Sequence, residues 1–186
     1  MGMTTSEFQN SYQWHVLKPT EYVENFDCGD KDLNNFIMNE ASDYTHNLLS
    51  VTYVVVSKED NTKVVAFFSL SADKLSVNDF NSNSEFNRFR KKRFVHEKQL
   101  RSYPAIKLCR LGVDKSVKGT GIGTIIISLV EYLCTYENRY GNRFITVDAY
   151  KEAVPFYQRN GFLPLTQKEI NNYTKPLYFD LKDTII

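Results

Sequence analysis

The chain has 186 residues, 42% of them hydrophobic and 24% charged, with a formal net charge of +1. That length predicts one domain spanning 1–186 with a real core, and a charge so near neutrality excludes a globally basic nucleic-acid binder while leaving a local patch open. No apolar run approaches the ~20 residues of a membrane span, and MGMTTSEFQN lacks the basic and apolar stretches of a secretion signal; three widely spaced cysteines, with no CxxC pair and no histidine at ligand spacing, predict reduced thiols, a cytoplasmic protein and no metal site.

Trp14–Leu17 is short and apolar enough for a first strand, ended by Pro19, which cannot donate to a ladder. Asp30 is placed to cap a helix whose stripe of Leu33, Phe36, Ile37 and Met38 fades toward Tyr44. Val51–Ser57 and Val64–Ser71, rich in β-branched and aromatic residues, form a hairpin around KEDNTK. Between Ala72 and Tyr103 the composition turns polar and basic, which predicts an insertion at about 72–103: a loop first, then an amphipathic helix from about Ser84 to Leu100 on Phe86, Phe89 and Phe94. After Pro104 the strand pattern returns in AIKLCRLGV. A loop, DKSVKGT, then leads to a helix over Gly121–Tyr136 with Ile122, Ile125, Ile126, Leu129, Val130 and Leu133 on one stripe. Phe144–Val147 is a further strand, Glu152–Arg159 a short helix stopped at Asn160-Gly161, and Tyr178–Leu181 a closing strand. Strands that interrupt helices without strict alternation predict an α/β (α+β) fold, a mixed sheet with helices on both faces.

The most informative segment is Lys118-Gly119-Thr120-Gly121-Ile122-Gly123, between a strand and a strong helix. Residues without Cβ let a ligand reach the backbone, and the unpaired amides and dipole of a helix start attract phosphate oxygens. Tight helix packing is the alternative use of such glycines. A nucleotide-hydrolase loop needs the lysine after the glycines, whereas Lys118 precedes them, and a dinucleotide fingerprint needs GxGxxG hard on the strand end, whereas position 124 is Thr.

RLGVDKSVKGTGIGTIIISLVEYL resembles motif A of the GCN5-related N-acetyltransferases (GNAT), with lysine in place of the usual first glutamine or arginine, and AVPFYQRNGF is similar to that family's later tyrosine-bearing helix ending in Gly-Phe. A narrower likeness, carried by FDCGDKDLNNFI, the hairpin and CRLGVDKS, is to acetyltransferase toxins of bacterial toxin–antitoxin pairs, from which the chain departs at 72–103. The resemblance implies a mostly antiparallel sheet with splayed strands at the coenzyme site, acetyl-coenzyme A as co-substrate, no metal, and a primary amine as acceptor. That amine is the amino group of aminoacyl-tRNA in the toxins; a small-molecule or protein amine, or a catalytically silent coenzyme- or nucleotide-binding module, are the other readings. An antitoxin protein and a homodimer are the protein partners it allows.

By the same resemblance, Leu111, Gly112 and Val113 offer backbone groups to the pantetheine arm and carbonyl. The pyrophosphate rests on amides of Lys118, Gly119, Thr120, Gly121, Ile122, Gly123 and Thr124, and Tyr157 is the acid that protonates the departing thiolate, against the plainer role of packing beside Phe156. Asp148 and Glu152 are weak candidates for a general base, which stays unassigned. Arg88, Arg90, Lys91, Lys92 and Arg93, with Lys98 and Arg101 beyond, form the densest basic cluster, suited to a nucleic-acid backbone or to a solvated helix face.

Overall fold

The computed structural model describes residues 2–94, 100–138, 141–166 and 173–184. Seven strands, β1 (Tyr12–Val16), β2 (Val51–Ser57), β3 (Val64–Ser76), β4 (Ser102–Val113), β5 (Phe144–Tyr150), β6 (Leu163–Pro164) and β7 (Thr174–Asp180), form a sheet in the order β1-β2-β3-β4-β5-β7-β6. Its ladders β1·β2, β2·β3, β5·β7 and β6·β7 are antiparallel, and β4·β5 is parallel. The helices are α1 (Thr5–Ser11), α2 (Lys31–Asn35), α3 (Ala41–His46), α4 (Asn83–Arg93), α5 (Ile122–Thr135) and α6 (Val154–Arg159). The chain gathers into two compact units, Met1–Ser71 with Leu108–Val130, and Ala72–Lys107 with Glu131–Ile186.

In the first unit, Val54, Val56 and Phe67 point from the hairpin into a core shared with Leu17, Phe26, Phe36, Ile37 and Ala41. Asp30 caps α2, accepting the Leu33 amide at 3.0 Å. The helix does not simply continue: Phe36–Glu40 is a π turn joining α2 to α3, with the Ala41 amide reaching back to the Phe36 carbonyl. That extra residue lets Phe36, Ile37 and Ala41 all face the core, each 3% exposed or less. Arg110 stacks its guanidinium over Phe36 and Tyr44 at 3.9 and 4.9 Å. Helix α1 lies where the sequence reading places no element. Its start is a capping box in which Thr4 and Glu7 satisfy each other's amides, and Phe8 anchors it in the core.

The second unit holds the segment expected as an insertion, 72–103. Rather than looping out at Ala72, β3 runs on to Ser76 because Leu75 is fully buried among Phe80, Phe86, Phe94, Tyr103, Phe144 and Tyr178. Helix α4 begins one turn later, capped by Ser82, and ends at Arg93; the rest of the expected helix, 95–99, lies outside the described residues. Pro104 sits inside β4 instead of before it, just ahead of the β5 ladder that opens at Ala105, so its missing N–H costs that ladder nothing. Helices cover both faces of this part of the sheet. Phe89 of α4 packs on Phe144 and Tyr178, whereas Phe162, against Tyr157 of α6, packs on Phe179, the neighbour that points the other way.

Candidate active site

Strand β4 ends at Val113, and Asp114 turns the chain into a short 3₁₀ turn, Lys115–Val117, by accepting from the Ser116 amide and hydroxyl at 2.9 and 2.6 Å. The loop closes when Thr120 donates its amide and hydroxyl to the Val117 carbonyl, at 3.3 and 2.7 Å. Gly119 and Gly121 then take φ of +84° and +96°, the left-handed region that disfavours a side chain. A Cβ on Gly119 would meet nothing within 4 Å, so its absence leaves open backbone rather than relieving a clash. Among the described residues the amides of Gly119, Gly121, Ile122 and Gly123 have no acceptor, while those of Lys118 and Thr124 are taken up by the Lys115 and Gly121 carbonyls at 3.4 and 3.0 Å. Four free amides at the head of a 14-residue helix fit a pyrophosphate. Of the expected set, the structure leaves four donors available and uses the other amides within the loop.

Leu111, Gly112 and Val113 precede this loop. The parallel ladder joins Ala105–Lys107 to Phe144–Thr146 and ends there, while β4 itself continues to Val113. Gly112 has a packing reason for its identity: a Cβ would lie 2.5 Å from the Phe67 ring.

The two stretches noted in sequence, FDCGDKDLNNF and VDKS, meet in one polar staple. Asp114 accepts the Asp27 amide at 2.9 Å, and the Lys115 amide donates to the Asp27 carbonyl at 2.8 Å. The Asp27 carboxylate in turn accepts from Lys115 Nζ at 2.7 Å, Asn34 at 3.0 Å and the Gly29 amide at 2.8 Å. Those donors, Lys115 first, hold its pKa down at about 2. Burial pushes Asp114 up, but the bonds from Ser116 and the Asp27 amide together leave it below the usual carboxylate range.

Tyr157, in the second unit, lies on α6, which starts with Pro155 in its first turn and stops at Asn160 and Gly161, φ +84°. The ring is 7% exposed, edge-on to Phe156 and Phe162 at 5.1 and 5.4 Å, and its hydroxyl has no hydrogen-bond partner among the described residues. Burial raises its pKa to about 12, so the phenol keeps its proton at neutral pH. Asp148 pairs with Lys107 at 2.5 Å, and Glu152 is exposed. A part-buried hydrogen bond that the sequence does not announce joins Thr146 Oγ1, as donor, to Asp73 at 2.5 Å; no motif marks residues so far apart as neighbours.

The basic run divides. Arg88, Lys91 and Lys92 are exposed on α4. Arg90 turns inward over Phe86 and donates to the Leu100 carbonyl at 3.2 Å. Arg93 donates to Asp180 at 3.1 Å and to the Tyr178 hydroxyl at 2.6 Å, with its guanidinium 4.2 Å from the Phe89 ring centre. Lys98 lies outside the described residues. Among the described residues no three His, Cys, Asp or Glu side chains gather as a metal site, and no helix is long and apolar enough to cross a membrane.

The glycine loop and the tyrosine helix both fall inside residues 86–175, which match the family described as "Acetyltransferase (GNAT) domain". Solved structures agree in fold across nearly the whole chain. One of AtaT complexed with acetyl-methionyl-tRNAfMet has a TM-score of 0.75 at 20% identity, covering 94% of this chain and 97% of that one. A tyrosine-to-phenylalanine variant of KacT gives 0.71 at 19%, with coverage of 95% and 99%. A similar variant of the toxin AtaT, bound to the C-terminus of the antitoxin AtaR and acetyl-CoA, gives 0.64 at 19%, with coverage of 92% and 94%.

Proposed function

We propose that the protein is an N-acetyltransferase that moves the acetyl group of acetyl-coenzyme A to a primary amine, and that this amine is the amino group of an aminoacyl-tRNA. The observation that carries the reading is the set of four unpartnered amides at Gly119, Gly121, Ile122 and Gly123, a donor array suited to a pyrophosphate. Acetyl-coenzyme A supplies the thioester. The backbone of Leu111–Val113 takes the pantetheine arm and carbonyl, and the protonated phenol of Tyr157 delivers a proton to the departing thiolate. The amine must attack uncharged. An aminoacyl amine, with a pKa near ~8, is partly neutral at pH 7, unlike a lysine near ~10.4, so the tRNA reading makes least demand on a general base. The tRNA-bound relative supports it, and the exposed Arg88, Lys91 and Lys92 offer the salt-sensitive backbone contacts that such an acceptor needs. An antitoxin that silences the enzyme is the protein partner proposed, by analogy with the AtaR-bound relative.

The test is expression of wild type and Tyr157→Phe. Wild type slows growth and leaves acetylated aminoacyl-tRNA detectable by mass spectrometry, while the variant, which keeps the ring and loses the proton, falls in rate by about 10²–10⁴ with coenzyme affinity unchanged. Wild type that binds acetyl-coenzyme A yet acetylates no aminoacyl-tRNA redirects the acceptor to a small-molecule or protein amine. Absence of any transfer leaves a silent binding module.

A further inference from the structure

One hydrogen bond at the glycine loop has no counterpart in the motifs. The segment before α1 crosses the loop: the Met3 amide donates to the Thr120 carbonyl at 2.8 Å, and a Cβ on Gly121 would lie 2.9 Å from the Met3 nitrogen and 3.1 Å from the Gly2 Cα. Gly121 is therefore glycine twice over, for its φ of +96° and for the backbone lying against it. The crossing segment is itself held. Thr4 closes the capping box with Glu7 through bonds of 2.7 to 3.2 Å, and Phe8, one turn on, is 5% exposed.

The Thr120–Gly121 peptide is planar and trans, so its carbonyl and its N–H point in opposite directions. Whatever fixes the Thr120 carbonyl also aims the Gly121 amide, one of the four open donors. We propose that Met3 is a positioning residue for the coenzyme: its main-chain N–H locks this peptide and so preorganises the Gly121 amide for pyrophosphate. The inference rests on the acetyl-coenzyme A reading given above, and it adds to that site an element nearly 120 positions away in the sequence. Binding gains from such locking because the loop no longer loses that freedom when the anion arrives.

The test compares Met3→Pro, which removes the donor, with Met3→Ala, which retains it. Titration calorimetry with coenzyme A gives a Kd about fivefold weaker for Met3→Pro, the scale of one lost hydrogen bond, and unchanged for Met3→Ala. Pantetheine, which has no pyrophosphate, distinguishes neither variant from wild type. Without ligand, hydrogen exchange at the bonded loop amides of Thr120 and Thr124 is faster in Met3→Pro alone. Should Met3→Pro not fold, Thr4→Ala, which loosens the segment while keeping every amide, takes its place with a smaller effect of the same sign. Equal coenzyme affinity and equal loop exchange in wild type and Met3→Pro overturn the proposal, as does equal weakening in Met3→Ala. Wild type that fails to bind coenzyme A refutes the acetyltransferase reading instead, and the exchange comparison still decides whether Met3 fixes the loop.

Discussion

Replacing Arg93 by alanine separates the two uses of the basic run, because Arg88, Lys91 and Lys92 are exposed and it is not. Arg93 and Arg143 share the Asp180 carboxylate: Arg93 Nε lies 3.1 Å from one oxygen, and Arg143 reaches both oxygens at 2.8 and 3.1 Å. The carboxylate side chain is 4% exposed and each arginine 20%. Removing Arg93 does not strand Asp180, since Arg143 remains. What goes is a charge-assisted bond, worth ~1.5–3 kcal/mol, the bond to the Tyr178 hydroxyl, and the stack on Phe89, worth ~0.5–1 kcal/mol. A loss of about 2–4 kcal/mol follows. Asp180→Ala, which leaves two half-buried guanidiniums facing each other, costs more, about 3–5 kcal/mol. Joint replacement of Arg88, Lys91 and Lys92 by alanine stays within ~0.5 kcal/mol per site. Urea unfolding reads this as a lower midpoint at constant slope. An Arg93→Ala protein as stable as wild type would refute the reasoning, and would return Arg93 to the surface as a free cation.

The exposed triple replacement should instead weaken binding to tRNA and flatten the salt dependence of that binding, by about one unit of slope for each phosphate that is no longer neutralised; an unchanged slope removes α4 from the nucleic-acid surface. Gly112→Ala places a Cβ 2.5 Å from the Phe67 ring and should cost ~1–3 kcal/mol by overpacking, checked by thermal unfolding and relieved by Phe67→Leu. For pH, the folded pKa of Asp27 lies at about 2, below its unfolded value, so its contribution is complete above ~4 and drains away as pH falls toward 2. Asp27→Asn should therefore remove part of the acid sensitivity seen in wild type between those limits, and identical acid unfolding curves would count against the staple.

Much of the fold is legible in sequence because it rests on local pattern. The hairpin of β-branched and aromatic residues, the apolar stripe of α5 and the stops at Asn160-Gly161 all reappear, although burial in α5 falls on Ile127 and Cys134 where the stripe had Ile125 and Leu129. The capping box of α1 is written in Thr4 and Glu7, but a helix of 7 residues with Phe8 as its one buried side chain has no apolar stripe to point to it. The π turn, the extension of β3 through Leu75 and the inward turn of Arg90 and Arg93 are not legible, because each depends on what another part of the chain packs against. A basic run looks the same in sequence whether its guanidiniums meet water or Asp180.

The toxin-like stretches show the same division from the other side. In sequence FDCGDKDLNNFI and CRLGVDKS only carry the likeness to the toxins, and in the structure their polar groups chiefly satisfy each other. Asp114 sits where β4 must end and the 3₁₀ turn begin, and it is tied to the Asp27 amide, while its own amide donates to the Val65 carbonyl at 2.9 Å. The loop that follows is thus held from the 27–34 segment, from β3 and, through Met3, from the segment before α1. A backbone anion site needs this more than a side-chain site does. A lysine can swing to find its phosphate, whereas an amide points only where the chain has been fixed. Residues outside a backbone anion site can therefore be as constrained as those within it, and the Lys115–Asp27 pair with the bonds around it holds the loop on which the four open amides lie.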